Sequence, residues 1–398
     1  MTVKEYISRK MSETLRVNQC DRETLIGLPH PYNVPCAEKT FNELYYWDTY
    51  FTNKALFVLG DTKQAKNNVE NILYLINRFG YMPNGSRTYL LLRSQPPYAA
   101  LMVSDIFKQT GDTEFLRKAF TILKKEYDFW MTHRGTENGL NHYGCENDNK
   151  NCAEFYFNCV VPRIGELNRA PEEAGRHYLA EAESGWDFTP RFGGLCADYN
   201  PVDLNSNLYI YETLFSEYEV LLGEGDGGGW RKKAQLRAKR MNALLLNEQK
   251  QAFMDYNYKS GALSPCLSAA SFQPYFVGVV PKEYRCGLLS VLKKLESRNG
   301  VYAAQSAKSN FQWAYPNVWA PNQYIAVKAL ERYGYYEEAK RIAQNYILMI
   351  ERNYEKYGKL FEKYNGLTGD VDAISEYGTP EMLGWTAGVY LELKNMTN

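Results

Sequence analysis

The sequence is poor in histidine, carries no net charge and has no long apolar run. Its 398 residues include 4 His, and 46 Lys and Arg residues are matched by 46 Asp and Glu residues. A chain without excess positive charge offers no basic face to nucleic acid or to anionic lipid, so neither partner is expected. No stretch is long enough to cross a membrane or to act as a signal peptide. We therefore expect a cytoplasmic protein with a small polar substrate.

The cysteines follow no metal-binding or disulfide pattern. Eight are scattered along the chain and no Cys-x-x-Cys pair occurs. Cys145, Cys152 and Cys159 recur at every seventh residue, but the one histidine near them is His142. A chain of this length does not need disulfides to stabilise its core. Reduced thiols and no metal site are therefore expected.

Aromatic residues are abundant, and Tyr alone occupies 33 positions. With 45% apolar residues the chain can bury one large core, and nothing marks a break, so residues 1–398 are predicted to form a single domain. So many tyrosines are expected either of a thick helical core or of a cleft that binds carbohydrate. Composition leaves both interpretations open.

Apolar residues recur at helical spacing in twelve segments, and no comparable series of strand patterns is present. The segments are 3–18, 45–59, 62–79, 97–110, 113–134, 205–222, 229–246, 267–278, 282–297, 321–333, 336–358 and 380–394. Gly60, Gly111, Gly223 and Gly334 each directly follow such a segment. A left-handed glycine at this position is typical of a tight turn between antiparallel helices. The pattern predicts an all-α fold of six helical hairpins.

Long insertions separate the predicted hairpins. Residues 80–96, 135–204, 247–266 and 298–320 are expected to be non-helical, and each follows the second helix of a hairpin. An open stack of hairpins favours short connections, so the long ones favour a closed ring. They should gather on one face of that ring, where catalytic sites are commonly built.

Two carboxylic acids lie among aromatic residues. Asp187 lies between Trp186 and Phe188, and Glu362 follows Phe361. Aromatic neighbours strip water from a carboxyl group and raise its pKa, which makes Asp187 a candidate general acid. The alternative is an aspartate that caps a helix or a turn. Two such carboxylates in one aromatic pocket are the groups needed to hydrolyse a glycosidic bond.

A series of motifs extends over roughly residues 35–395 in a fixed order. They are Tyr45–Phe51, Pro83–Tyr89, Arg93–Pro97, Glu183–Phe188, Gln312–Trp313, Pro316–Asn317, Trp319–Pro321, Glu362–Tyr364, Glu376–Tyr377 and Gly384–Thr386. This set resembles the α,α-trehalases of glycoside hydrolase family 37.

The resemblance implies an (α/α)6 toroid with long loops on one face and an inverting hydrolysis. Asp187 resembles the general acid of the family and Glu362 its general base. The positions that resemble sugar-binding residues are Trp47, Asp48, Asn84, Arg93, Gln95, Glu172, Trp186, Gln312, Trp313, Glu376 and Trp385. Because protonation and water attack need only two carboxylates, no cofactor is expected.

Three departures from the family pattern affect the substrate that we expect. Thr40 stands where members usually carry Arg, Ala314 replaces the Asp of a Gln-Trp-Asp motif, and Ala170 precedes Pro171-Glu172 where Arg is usual. Each lost polar contact to a sugar can cost on the order of 1–3 kcal/mol. Glycoside hydrolysis is thus better supported than the choice of trehalose.

The first candidate substrate is trehalose, among other small α-glucosides. One alternative is a related toroidal hydrolase that acts on glucosylglycerate or mannosylglycerate. A second is a sugar-binding protein without catalysis, although a binder has no need of two opposed, desolvated carboxylates. A third is a helical-repeat scaffold, which would have short and uniform connections.

Overall fold

Helices make up most of the chain. The computed structural model describes residues 1–38, 41–305, 310–375, 381 and 384–397. Its α-helices are α1 Val3–Lys10, α2 Tyr46–Val58, α3 Thr62–Phe79, α4 Ala99–Thr110, α5 Thr113–His133, α6 Asn149–Phe155, α7 Val161–Ile164, α8 Pro171–Glu183, α9 Val202–Leu221, α10 Gly228–Leu245, α11 Gln273–Val277, α12 Cys286–Leu295, α13 Ala320–Arg332, α14 Tyr336–Tyr357 and α15 Trp385–Thr397.

Within the described residues, six helices form a closed inner ring. Each of them packs on the next in the order α2, α4, α9, α11, α13 and α15, and α15 packs back on α2. Buried residues occur all around α2 and α9, as expected of helices enclosed on every side. The all-α toroid predicted from the sequence is confirmed.

The second helices of the hairpins lie outside this ring. The contacts join α3 to α2, α10 to α9 and α14 to α13. In α3 the buried residues lie on one stripe, which includes Ala65, Val69, Ile72 and Ile76, so its other side faces solvent. One apolar core continues through both layers, from Val3 to Leu393.

The hairpin turns occur at the predicted glycines. Gly60, Gly111, Gly223 and Gly334 have φ of +81°, +64°, +67° and +83°. A residue with a Cβ atom is strained in this left-handed region, so glycine is favoured there. These turns reverse the chain between an inner and an outer helix.

Three predictions about segments are wrong. The predicted helix at 3–18 ends at Lys10, and a 3-10 turn over Met11–Thr14 follows it. Residues 135–204 are not free of helix, because they contain α6, the π-helical segment Tyr156–Val160, α7 and α8. Pro171 begins α8 and acidic residues occupy its first turn, both of which favour a helix start. The predicted helices at 267–278 and 282–297 are also shorter, because α-helix is confined there to α11 and α12, each preceded by a 3-10 turn.

Short antiparallel strands lie between the helices, most of them in or beside the insertions. They are β1 Leu15–Arg16, β2 Tyr32–Asn33, β3 Tyr199–Asn200, β4 Leu246–Asn247, β5 Ala252–Phe253, β6 Tyr256–Asn257, β7 Ala262–Leu263, β8 Glu296–Ser297, β9 Gly300–Val301, β10 Asn317–Trp319 and β11 Lys363–Asn365. The pair β10 and β11 places Trp319 opposite Lys363. In the described part of the chain, no helix is long and apolar enough to cross a membrane.

Candidate active site

A cavity of about 380 Å³ opens where the insertions meet the starts of inner helices. Its wall includes the first turns of α2 and α15 and the residue before α13. The lining residues are Pro35, Phe41, Tyr45, Trp47, Asp48, Asn84, Leu90, Arg93, Gln95, Ala182, Gly185, Asp187, Gln312, Trp313, Trp319, Glu362 and Trp385. Insertions 80–96, 135–204 and 298–320 contribute to this wall, whereas insertion 247–266 supplies none of the lining residues.

Tryptophan rings form a continuous apolar part of the wall. Trp313 stacks on Trp319 with ring centroids 3.8 Å apart and an interplanar angle of 6°. Trp385 meets both rings edge to face, at 6.2 and 5.6 Å. Flat aromatic surfaces of this kind pack against the C–H faces of a pyranose. The wall thus suits a sugar ring.

Asp187 reaches the cavity from the loop that follows α8. Gly185 in this loop has a φ of +72°, and a Cβ atom there would lie 3.0 Å from the Trp47 ring. Both the left-handed backbone and the close approach of Trp47 therefore favour glycine at this position. Burial is the main cause that raises the pKa of Asp187 to about 6, while the charges of Arg93 and Arg163 oppose the rise. The carboxyl group can therefore hold a proton close to neutral pH.

The loop that carries Asp187 is fastened to the loop that carries the tryptophans. Gln312 Nε2 donates to the backbone oxygen of Asp187 at 2.6 Å. The backbone N–H of Trp313 donates to the oxygen of Phe188 at 3.1 Å. These two bonds fix the acid relative to the apolar wall.

Glu362 lies on the bend directly before β11, and its side chain is buried. Lys363 Nζ lies 2.6 Å from Glu362 Oε2. Trp385 Nε1 donates to the backbone oxygen of Glu362 at 3.1 Å. The carboxylate is thus held by a neighbouring cation, and the backbone of Glu362 by the start of α15.

Asp48 is a third carboxylate in the cavity. It lies in the first turn of α2. Its pKa is raised to about 7, chiefly by burial and further by the charges of Glu362 and Asp187. The three carboxylates therefore interact electrostatically within one site.

Polar side chains complete the wall and are held by backbone groups. Gln95 Oε1 accepts a hydrogen bond from the backbone N–H of Trp47 at 3.1 Å. Asn84 Nδ2 donates to the backbone oxygen of Ser94 at 3.1 Å. Buried Arg93 Nε has no hydrogen-bond partner among the described residues, and the same holds for Gln312 Oε1. Two residues of the wall thus each carry one buried polar atom without a hydrogen bond.

Glu183 joins three segments behind the cavity. Its buried carboxylate accepts from Arg134 Nε at 2.8 Å and Arg134 Nη2 at 3.0 Å. It also accepts from the backbone N–H groups of Ser94, at 2.8 Å, and Gly144, at 2.6 Å. The segment with Arg93 and Gln95 is in this way tied to the end of α8.

The structure brings most of the predicted site residues together. Those in the cavity wall are Trp47, Asp48, Asn84, Arg93, Gln95, Asp187, Gln312, Trp313, Glu362 and Trp385. Trp186 is not in the wall, because it lies behind Trp313 at a centroid distance of 4.8 Å. Glu172 is in the first turn of α8, roughly 15 Å along the axis from the end that reaches the cavity. Glu376 lies outside the described residues.

The wall also contains residues that the sequence did not single out. They are Pro35, Phe41, Tyr45, Leu90, Ala182, Gly185 and Trp319. Tyr45, Gly185 and Trp319 belong to the quoted motifs, so the motif match was the available signal for them. Of the departing positions, Ala170 directly precedes α8 and Ala314 is fully buried, while Thr40 lies outside the described residues.

The cysteines are free thiols, and no group of three or more His, Cys, Asp or Glu residues in the described chain is arranged to hold a metal ion.

The chain is similar to trehalases in sequence. Residues 2–398 match the family model described as Trehalase. Periplasmic trehalases of Escherichia coli O1:K1 and of Shigella flexneri serotype 5b are 31% identical over 401 residues, which cover 94% of this chain and 70% of each relative.

Solved structures give the same result for the fold. The neutral trehalase Nth1 of Saccharomyces cerevisiae superposes with a TM-score of 0.81 at 26% identity, covering 100% of this chain and 80% of that one. A GH63 mannosylglycerate hydrolase of Thermus thermophilus gives a TM-score of 0.68 at 16% identity, covering 98% and 100%. At that identity the second likeness concerns the fold alone.

Proposed function

The chain belongs to the trehalase family of glycoside hydrolases, and we propose that it hydrolyses trehalose with Asp187 as general acid and Glu362 as general base. The observation that carries this proposal is that Asp187 and Glu362, far apart in the sequence, line one cavity. The tryptophan wall of the same cavity suits a pyranose. The cavity volume lies within the usual range of small-molecule sites.

The proposed reaction needs one proton donor and one proton acceptor. Asp187 gives its proton to the glycosidic oxygen, which leaves with the electron pair of the broken bond. Glu362 takes a proton from a water molecule, whose oxygen forms the new bond to the anomeric carbon. The raised pKa of Asp187, about 6 through burial, supports the donor role.

Asp48 and the polar residues are proposed to bind the sugar. Arg93 and Gln312 line the cavity, and their side chains carry donors and an acceptor of the kind that sugar hydroxyls need. Asp48 carries a pKa of about 7, raised mainly by burial, so its carboxyl group can donate as well as accept near neutral pH. Polar groups of this kind fix the orientation of a ligand on an apolar surface.

The test follows the sugar that is released from a panel of small α-glucosides, with trehalose first. Proton NMR in the first minutes should show one α-glucose and one β-glucose per trehalose, as inversion requires. Two α-glucose molecules would contradict inversion, and no hydrolysis of trehalose would contradict the substrate. Glucosylglycerate and mannosylglycerate in the same panel test the alternative.

Variants test the two residues. Asp187→Asn and Glu362→Gln should each lower kcat for trehalose by at least about a hundredfold. The matched control is Glu173→Gln, because Glu173 lies on α8 with its side chain 57% exposed and paired to Arg169. Near-normal turnover by either active-site variant would remove that residue from its role.

The cytoplasmic location expected from the sequence stays a prediction, and the bacterial relatives are named periplasmic enzymes. Fractionation of cells that express the protein from its natural gene tests it. Activity released with a periplasmic marker enzyme would contradict the prediction.

A further inference from the structure

We propose that Lys363 is a positioning residue for the general base, because its ammonium group fixes the orientation of the Glu362 carboxylate. The proposal rests on the function proposed above for Glu362. It gives a role in the reaction to a side chain that does not itself line the cavity.

The contact between the two side chains is direct and buried. Lys363 Nζ lies 2.6 Å from Glu362 Oε2, and the two side chains are 0% and 4% exposed. The bend at Glu362 lets neighbouring residues turn their side chains to the same place, whereas regular strand neighbours point to opposite faces. A hydrogen bond between two charged groups at this distance is strong and directional.

Lys363 also contacts the wall that faces the sugar. It pairs with Trp319 across β10 and β11. Its Nζ lies 4.8 Å from the Trp319 ring centroid. Since Trp319 stacks on Trp313, one cation connects the base to the tryptophan stack.

The carboxyl groups in the cavity explain why a cation next to Glu362 matters for the reaction. The charges of Asp48 and Asp187 act on the same space as Glu362, since the charge of Glu362 contributes to the raised pKa of both. When Asp48 is ionised, and again once Asp187 has given up its proton, charge repulsion favours rotation of Glu362 away from them. An ammonium group bound to Oε2 opposes that rotation and keeps the carboxylate in place to accept a proton from water.

A buried ion pair alone does not establish such a role. Buried pairs often contribute little net stability, because removing two charges from water is costly. A purely structural pair would affect the free energy of unfolding and not the rate of the chemical step. The experiment must therefore separate these two effects.

The chain contains a matched control in Lys54. Its Nζ lies 2.6 Å from Asp105 Oδ2 and 4.4 Å from the Tyr50 ring centroid, with its side chain 10% exposed. This pair has the same N–O distance as that of Lys363 and also contacts an aromatic ring, although Asp105 is 23% exposed, and it does not line the cavity. Lys54→Met should lower the melting temperature and leave kcat within about threefold of the wild type.

The test measures kcat and KM of Lys363→Met and Lys363→Arg on trehalose and on α-glucosyl fluoride. Fluoride leaves without a proton from the acid, but attack by water still needs the base. Lys363→Met should lower kcat about a hundredfold on both substrates with KM nearly unchanged, and Lys363→Arg should restore at least a tenth of the activity. Asp187→Asn should instead lose far more activity on trehalose than on the fluoride.

Several outcomes would overturn the proposal. Normal kcat for Lys363→Met, or a loss equal to that of Lys54→Met, would make Lys363 structural. A loss of kcat on trehalose but not on α-glucosyl fluoride would show that Lys363 acts on proton donation by Asp187 and not on the base. If Lys363→Met does not fold, Lys363→Arg and Lys363→Gln are compared, and equal kcat values for these two would refute the need for a cation. Failure of the proposed function is distinguishable, because then the wild type would not hydrolyse trehalose or Glu362→Gln would remain active.

Discussion

At Asp187 the protonation state sets the pH range of the proposed reaction. Burial is the main cause that raises its pKa to about 6, so the proton is lost as the pH rises through that value. We expect kcat/KM for trehalose to fall above pH 6, by up to about tenfold per pH unit. Initial rates between pH 4.5 and 9 at constant ionic strength measure this limb.

The same profile distinguishes Asp187 from Asp48. Asp48 carries a pKa raised to about 7, chiefly by burial, and is the other acid of the cavity. Asp48→Asn should raise KM and keep the alkaline limb where it is in the wild type. Disappearance of the limb in Asp48→Asn would assign proton donation to Asp48 instead.

The pKa of Asp187 also predicts a cost in stability. Its folded pKa of about 6 lies above the ordinary value of 3.8, so the folded state loses stability as pH rises from about 4 to about 6. Asp187→Asn removes this loss and should stabilise the protein at pH 7.5 by on the order of 3 kcal/mol, with no gain at pH 3.5. Urea unfolding at the two pH values measures the difference.

Asp21 provides a control of opposite sign. The hydrogen bond from Arg78 is the main cause that lowers the pKa of Asp21 to about 2. This group stabilises the folded state above pH 4 and loses that effect as pH falls towards 2. Asp21→Asn should therefore lower the free energy of unfolding at pH 7.5. This loss should be smaller in magnitude than the gain from Asp187→Asn, because the Asp21 side chain is 56% exposed. A gain with both variants would show that the amide substitution itself stabilises.

Single residues of the cavity could be predicted where they belong to a motif. Trp47, Arg93 and Trp385 are examples, and each lies in the wall. The contact of Lys363 with Trp319 could not be predicted, because it depends on the register of β10 and β11. Glu172 also resembled a sugar-binding position, but it lies at the end of α8 that is remote from the cavity. A sequence motif does not tell which end of a helix meets the cavity.

At the level of elements, Glu183 and Arg134 hold the ends of α5 and α8 together. Arg134 is 2% exposed and Glu183 is fully buried. Glu183→Gln leaves the buried guanidinium without this carboxylate partner and should cost about 3 kcal/mol in the free energy of unfolding. Because Ser94 donates to Glu183, KM should also rise. Urea unfolding and steady-state kinetics measure both effects.

A double variant and an exposed pair control this prediction. Arg134→Met combined with Glu183→Gln removes both charges and should recover part of the lost stability. The pair of Arg341 and Glu296 is similar in geometry but 47% and 26% exposed, so Glu296→Gln should cost less than about 1 kcal/mol. Equal costs at the buried and exposed pairs would contradict the argument.

The bounds of a helix could be predicted where the apolar periodicity and the turn residues indicated the same end. Helix α3 has the predicted bounds of 62 and 79, and its hairpin turn is at Gly60. The prediction failed in 135–204 because no apolar helical periodicity was assigned there, although Pro171 and the acidic first turn favour α8. In 267–278 the apolar pattern overstated the helix, since Pro274 lies at the start of α11 and the preceding residues form a 3-10 turn.

For the whole molecule, ring closure was predicted from the length of the insertions. The contact of α15 with α2 is the closing contact, and it joins segments that are far apart in the sequence. Which helices meet to close the ring depends on tertiary packing, and helical periodicity alone does not predict it. Trp47 and Trp385 enter the cavity from these two helices, so closure and the site depend on each other.

Gly388 tests that dependence. A Cβ atom on Gly388 would lie 1.9 Å from the backbone oxygen of Phe51, so Gly388→Ala forces α15 away from α2. It should cost at least about 2 kcal/mol of stability and lower kcat/KM for trehalose, because Trp47 and Trp385 separate. Gly229 in α10 has nothing within 4 Å of its Cβ position, and Gly229→Ala should keep full activity and gain up to about 1 kcal/mol. Full activity of Gly388→Ala would show that the cavity does not depend on close contact between these helices.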